Sequence, residues 1–340
     1  MPENDSSTLI ISQAEVPALL PMDACIAIME GVFRALARGE TLLPLRQVME
    51  PPERNGLLAM MPAYVNMSDS RSMGLKAISV FPDNKNTPYD THQGVVLLFE
   101  IRNGRLLAIL DATSITAIRT AAVSALATKL LARADATDLA LLGSGTQART
   151  HLEAMQRVRP LRRVRVWSPH RENVDHFAKR ETARMGMKIE PMPTAQAAVS
   201  GADLICTVTS AREAVLYGEW IRPGCHINAV GACTPAAREL DTTAVVRSKL
   251  FVDRRESTLN EAGDFLIPQH EGRIDETHIL GEIGELLTDR VSGRQSGRDI
   301  TLFKSLGLAV EDLAAAWFIY TQALAQGRGR QIQIGGFRID

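Results

Sequence analysis

The stretch LALLGSGTQARTHLEAM, Leu139 to Met155, is an apolar run, a glycine-rich turn and a helical segment in direct succession. Gly143, Gly145 and Ala148 match the spacing G-x-G-x-x-G/A. Each position has a physical job: Gly143 permits the tight turn, Gly145 lets a pyrophosphate approach the backbone, and Ala148 is small enough for the helix to pack on the strand. A pyrophosphate would sit on the unpaired N–H groups at the helix start. The chemistry implied is dinucleotide binding; the plain alternative is a tight strand–helix turn with no ligand. NAD-specific folds end the second strand in Asp or Glu, which takes the ribose 2′-hydroxyl. Here that strand is RVRVW, followed by SPHREN, and no acid ends it. Ser168, His170 and Arg171 suit a 2′-phosphate instead, so NADP(H) is the expected cofactor, with NAD(H) left open. The alternative is a solvated loop whose Arg171 begins the next helix.

A second chemical residue is Cys233 in INAVGACTP, where a buried strand runs into a turn of small residues. It could be a metal ligand, a nucleophile, a redox partner or a small apolar filler. The four cysteines, Cys25, Cys206, Cys225 and Cys233, are widely spread and form no CxxC pair. That pattern argues against a zinc site or a disulfide framework and fits a reducing compartment. No metal is expected.

These residues need a scaffold, and the chain reads as two kinds of architecture. MDACIAIMEGVFRALARGE is an amphipathic helix, with Asp23 placed to cap its start, Gly39 near its end, and Ile28, Val32 and Leu36 on one face. Strand-like runs follow: LLAMMPAY, GLKAISVF and GVVLLFEI. In VVLLFEIRNGRLLAIL the pair Asn103-Gly104 predicts a type I′ hairpin turn. SITAIRTAAVSALATKLLAR is Ala-rich and helical, and connects to the second region. From Asp138 onward, DLALLG, RVRVW, DLICTV, CHINAV and KLFVD alternate with helical segments. That alternation is the signature of a doubly wound α/β domain. The tail SLGLAVEDLAAAWFIYTQALAQG is again a helix, ending near Gly327. The expected fold class is α/β, a Rossmann-type doubly wound sheet domain plus an α+β substrate-binding and dimerisation domain. The expected division is residues 1–120 with 310–340 for the latter and 121–309 for the dinucleotide domain.

The bulk properties exclude other classes. A net charge of -1 leaves no electrostatic footprint for nucleic acid or a membrane surface. A composition of 45% hydrophobic and 23% charged residues is that of an ordinary globular protein. The polar start MPENDSSTL is unlike a signal or transit peptide, and no apolar run is long enough to span a bilayer. The expected location is cytoplasmic.

Several ordered stretches together resemble the ornithine cyclodeaminase/mu-crystallin family: DTHQGVVLLFE, ITAIRTAAVSALATK, GSGTQA, GEWIRPGCHINAVGA, RELD and FKSLGLAVED. The likeness runs from roughly Leu43 to Ala316. It is denser to the mu-crystallin branch, which implies NAD(P)H-dependent reduction of cyclic ketimines such as pyrroline-2-carboxylate and piperideine-2-carboxylate. It also implies a homodimer joined through the substrate domains. By the resemblance, Arg46 in LPLR, Lys76 in GLKAIS and Arg119 in TAIRT surround the substrate carboxylate and form the catalytic cluster. An arginine offers a bidentate fork to a planar carboxylate, and three cations in one cleft would repel unless an anion sat between them. Thr91 in DTHQG matches a position near the substrate; His92 beside it reads as structural. Thr120, Thr146 and Gln147 match residues that hold the pyrophosphate, and Thr207 and Thr209 match the adenosine-ribose side. Ala229 and Val230 fall near the nicotinamide, and Lys304 with Ser305 match a segment closing over the carboxamide. SPH stands where mu-crystallins carry an Asn-Arg-Thr-like stretch.

The resemblance also bears on Cys233. True cyclodeaminases carry an Asp after the NAVG strand, in a GGDCPGKTEL-like run, and that Asp falls on Cys233. The carboxylate base of the lyase is therefore missing, and Cys233 reads as a compact wall residue. A cyclodeaminase- or dehydratase-type lyase, an alanine- or opine-type dehydrogenase, and a binding protein without turnover remain the alternatives to a ketimine reductase.

Overall fold

Burial alternates with period two along LLAMMPAYVNM: Ala59, Met61, Ala63 and Val65 are buried and their neighbours only partly so. Such alternation makes a strand with one face on a core. The computed structural model describes residues 7–53, 55–67 and 70–336, so the first six residues of the polar N-terminal stretch lie outside the described residues. Two compact units form, residues 1–119 with 308–340 and residues 120–307.

The first unit is built on one sheet. Its strands are β1 (Ser7–Ile11), β2 (Thr41–Leu42), β3 (Gln47–Met49), β4 (Leu57–Met67), β5 (Ser70–Val80), β6 (His92–Phe99) and β7 (Leu106–Asp111), closed by β16 (Arg330–Gln333). The order is β16-β1-β7-β6-β5-β4-β2, with β3 also on β4. Every pairing is antiparallel except β1 with β7. The helix Ala309–Gln326 packs on β4, β5, β6 and the helix Met22–Ala37. β5 carries the unusual pattern: Ser72, Lys76 and Ile78 are buried, whereas Met73 is 41% exposed. A lysine thus occupies the inward phase of the strand.

Three local expectations need correction. The helix Met22–Ala37 has Pro21 at its N-cap and no side-chain cap, so Asp23 lies within the first turn, where a negative charge still favours the helix dipole. Its buried stripe is Cys25, Ile26, Met29, Val32 and Phe33; Ile28 and Leu36 flank it half-buried. The β6–β7 hairpin forms, but not through a type I′ turn. That turn needs positive φ at both central residues, and only Gly104 has it, at 75°. The loop is longer, closed by Glu100 N–H on Arg105 O at 2.8 Å. The Glu100 carboxylate accepts the Arg102 and Asn103 N–H groups at 3.0 and 3.2 Å.

The second unit is a parallel sheet. Its strands are β8 (Asp138–Leu142), β9 (Arg163–Trp167), β10 (Ile189–Pro191), β11 (Leu204–Thr207), β12 (His226–Ala229), β13 (Lys249–Val252), β14 (Ile279–Glu282) and β15 (Thr301–Lys304). The order is β10-β9-β8-β11-β12-β15-β13-β14, parallel throughout. Near-continuous apolar strands such as LICT, buried at all four positions, follow from burial on both faces. The chain winds outward from β8 to β10 and returns to β11, so β8 and β11 flank a topological switch point. Open α/β sheets bind ligands at the carboxyl ends of strands beside such a point. The helix Ala112–Leu131 contains the boundary between the units. No helix among the described residues is long and apolar enough to cross a membrane.

Candidate active site

In the first unit the structure brings Lys76 and Arg119 onto one carboxylate that the sequence reading missed. Lys76 Nζ lies 2.5 Å from Asp312 Oδ2. Arg119 Nε donates to Asp312 Oδ1 at 3.0 Å, and its Nη1 donates to Glu311 Oε2 at 2.7 Å. All four groups are buried. Each lies on a buried face of its element. Lys76 follows the inward phase of β5, and Arg119 sits in a helix whose residues 119–128 are all buried. Glu311 and Asp312 lie in the first turn of Ala309–Gln326, the end of a helix that favours acids. Glu311 Oε1 also accepts the Leu308 N–H at 3.0 Å. The expected anion between the cations is therefore part of the protein.

Burial and charge act unequally on these groups. Burial lowers the Lys76 pKa to about 8, against the attraction of Asp312, and the Arg119 charge works in the same direction as burial. Burial opposes the Arg119 charge as well, yet Asp312 and Glu311 overcome it and raise its pKa. Asp312 is pushed upward by burial, but Arg119 and Lys76 prevail and hold it below the usual carboxylate range. Arg46 is half-buried in the segment joining β2 to β3, near enough for its charge to depress Lys76 further. Thr91 precedes β6, with its Oγ1 3.0 Å from His92 Nδ1. His92 feels the charges of both Lys76 and Arg119.

In the second unit the glycine-rich turn follows β8. Gly143 has φ of 122°, and a Cβ on it would lie 2.6 Å from Val208 O, just past β11. Glycine is thus required by both conformation and closeness. Gly145 is the N-cap of the helix Thr146–Val158 and provides no side-chain cap. A Cβ on Gly145 would meet nothing within 4 Å, which leaves the approach to the helix N–H groups open. Gln147 Oε1 and Ser305 Oγ are buried without a hydrogen-bond partner. This cradle, with orphaned polar atoms and uncapped amides, fits a dinucleotide. Thr146 is exposed and Thr120 is buried. Ser168, at the end of β9, hydrogen-bonds Ser144 of the turn at 2.9 Å. His170 is exposed at the N-cap of Arg171–Met185, and Arg171 pairs with Asp175 at 2.9 Å.

The remaining candidates meet a buried acid network, not evident from sequence although RELD contains its Glu239. Glu239 Oε2 accepts Thr207 Oγ1 at 2.8 Å and Gly231 N–H at 2.6 Å. Its Oε1 accepts the Thr209 N–H and hydroxyl at 2.6 and 2.7 Å. The carboxylate so ties the end of β11 to the segment after β12, next to Ala229 and Val230. Burial raises its pKa, and Asp264 adds to this. Asp264 Oδ1 accepts the Glu239 and Leu240 N–H groups, and its Oδ2 pairs with Lys304 Nζ at 2.9 Å. Lys304 also donates to Ala232 O at 2.6 Å. Lys304 is thus a buried residue of the interior strand β15, and Ser305 is tied by its N–H to Ala229 O at 3.0 Å.

Cys233 is half-buried, with Sγ donating to Val230 O at 3.4 Å, and packs against the apolar core of this unit. Burial pushes the Cys206 and Cys225 thiols up to about 12, which leaves both unreactive. No group of three or more His, Cys, Asp or Glu among the described residues is placed to hold a metal.

A parallel sheet of Rossmann type with an open glycine-rich turn in one unit, and a buried charge cluster in the other, are the parts of a nicotinamide-dependent oxidoreductase. Residues 6–327 match the ornithine cyclodeaminase/mu-crystallin family, and the chain belongs to that family. The mouse protein "Ketimine reductase mu-crystallin" is 42% identical over 302 residues, 88% of this chain and 90% of that one. The solved structure of Thermococcus litoralis Delta(1)-pyrroline-2-carboxylate reductase, in complex with NADH and L-proline, superposes with TM-score 0.93 at 39% identity. It covers 96% of this chain and 100% of its own. An archaeal alanine dehydrogenase dimer with bound NAD superposes with TM-score 0.90 at 32% identity, covering 97% and 100%.

Proposed function

We propose that the protein reduces cyclic ketimines, taking pyrroline-2-carboxylate or piperideine-2-carboxylate to L-proline or L-pipecolate. The observation that carries this reading is two unlike cations sharing the Asp312 carboxylate. Arg119 is held charged and can only bind an anion, whereas burial lowers the Lys76 pKa to about 8, so that it gives up a proton far more readily than an ordinary lysine. The four buried charges, two positive and two negative, cancel. Arg46, whose charge reaches Lys76, and Thr91 would make further contacts with the substrate. The nicotinamide would supply hydride to the imine carbon. Lys76 would then protonate the ring nitrogen as the C=N bond becomes single, and regain its proton from solvent.

Gly143, Gly145, Thr146, Gln147 and Thr120 would hold the pyrophosphate, and Thr207 and Thr209 the adenosine ribose, with both threonine hydroxyls already oriented by Glu239. Ala229, Val230 and Ser305 would line the nicotinamide end. NADP(H) is preferred in this reading, because no acid ends β9 and Ser168, His170 and Arg171 follow it. The assembly is a homodimer, a reading supported by the dimer of the alanine dehydrogenase relative.

The test is NADPH and NADH oxidation with five- and six-membered ring imines, with ornithine and L-proline as controls. Rapid imine reduction is expected. Ornithine deamination without net cofactor change would overturn the reading.

A further inference from the structure

We propose that Asp312 is a positioning residue for proton transfer, holding the Lys76 ammonium in place and in its protonated form without itself touching substrate. The inference rests on the ketimine-reductase reading. Lys76 is packed from several sides. Asp312 approaches from the helix Ala309–Gln326 and Arg119 from the helix Ala112–Leu131. Arg46 acts from the segment joining β2 to β3, and His92 from the start of β6. Asp312 is the negative one among these four. Glu311, its neighbour, reaches Arg119 instead.

The geometry divides the Asp312 carboxylate between two tasks. Oδ1 fixes the orientation of the Arg119 guanidinium, and Oδ2 lies against Nζ. With that anion removed, the buried ammonium would face the charges of Arg119 and Arg46, and desolvation and repulsion would drive its proton off. A neutral amine is far too weak an acid to protonate a ring nitrogen. In the step itself the proton leaves Nζ, the electron pair of the broken N–H bond stays on Lys76, and a new N–H bond forms on the ring. Asp312 neither gains nor loses a proton, which is consistent with its lowered pKa.

The experiment is the pH profile of kcat at saturating imine and NADPH. The acid form of Lys76 is the active one, so wild-type kcat falls as pH rises through about 8. Asp312→Asn moves that falling limb toward acid by at least ~1 pH unit, about a tenfold loss of turnover per unit above the new midpoint, with turnover recovering at low pH. Asp312→Glu keeps the charge and keeps the limb. Glu311→Gln, acting through Arg119, raises KM and leaves the limb in place. Equal loss at every pH in a folded, NADPH-binding Asp312→Asn protein would overturn the proposal. Should that variant not fold, Lys76→Arg decides: residual turnover without the limb supports the proposal, and a retained limb overturns it. Should the wild type reduce neither ring imine, the functional reading has failed instead. Trace acetylation of Lys76 across pH, followed by mass spectrometry in wild type and Asp312→Asn, then reads the same shift without turnover; identical profiles would refute the coupling.

Discussion

Replacing Arg119 by alanine separates binding chemistry from folding. From the sequence, the variant is expected to lose turnover while still folding and binding NADPH. The structure adds a stability cost. Arg119 satisfies Glu311 at 2.7 Å and Asp312 at 3.0 Å, and it is 4% exposed. Removing one partner of a buried ion pair costs about 3–5 kcal/mol, because the other charge is left uncompensated. Glu311 keeps the Leu308 N–H and Asp312 keeps Lys76, which holds the cost within that range. Against a typical stability of about 5–15 kcal/mol, the loss is large but survivable.

The pH dependence gives the sharper signature. In the wild type Asp312 is depressed, so its contribution is complete above an unfolded value of about 3.9 and is lost as pH falls through the lower folded value. Between pH 6 and 7.5 that contribution is constant. In the variant the site holds one buried cation and two carboxylates. One carboxylate then binds a proton more readily folded than unfolded, so stability falls as pH rises, by at most ~1.4 kcal/mol per pH unit. Urea denaturation at pH 6 and pH 7.5 measures this. The deficit relative to wild type is expected to be smaller at pH 6. A deficit under ~1 kcal/mol, identical at both pH values, would refute the reasoning.

Two further outcomes are expected. His170→Ala with Arg171→Ala should weaken NADPH by roughly tenfold or more relative to NADH, since a charge-assisted hydrogen bond is worth about 1.5–3 kcal/mol; titration of both cofactors checks this, and equal loss for the two would remove these side chains from the 2′-phosphate. Cys233→Ser should keep most reductase activity, because Sγ donates to Val230 O and packs on the core, roles a hydroxyl of similar size largely preserves, while Cys233→Asp should lose turnover without gaining ornithine deamination. If Cys233→Ser bound NADPH yet were as inactive as the Arg119 variant, the thiol would be chemical and the wall-residue reading wrong.

Elements with a strong period or a turn signature were legible in the sequence. LALLG, LICT and HINA are strands because a parallel sheet buried on both faces demands unbroken apolar runs. The Gly143 turn was readable because its spacing is a backbone requirement that no other residue meets. The elements missed were short and lacked such marks. β10, β14 and β15 are three or four residues each, and β16 has only one half-buried residue, Ile332. Their strand character comes from neighbours, β16 from β1 and β15 from β12 and β13. The type I′ turn failed because Glu100 supplies side-chain acceptors that stabilise a longer loop, a local competition that Asn-Gly alone does not reveal.

The acids of the site were hidden for a different reason. Read from the sequence, cations this close need an anion, and the substrate is the anion expected there. Yet β5 places Lys76 on the same inward phase as Ser72 and Ile78, and AVEDLAAA offers Glu311 and Asp312 no polar face: residues 309–316 are all buried. A charged residue on the wrong phase of a strand, and two acids opening an otherwise apolar helix, are each costly alone. Together they are a signal that the charges compensate one another. The consequence is functional as well as structural. A cluster neutral in itself does not require a bound anion to fold, so its geometry can stand ready before substrate arrives. Preorganised charge of this kind need not rearrange during the reaction.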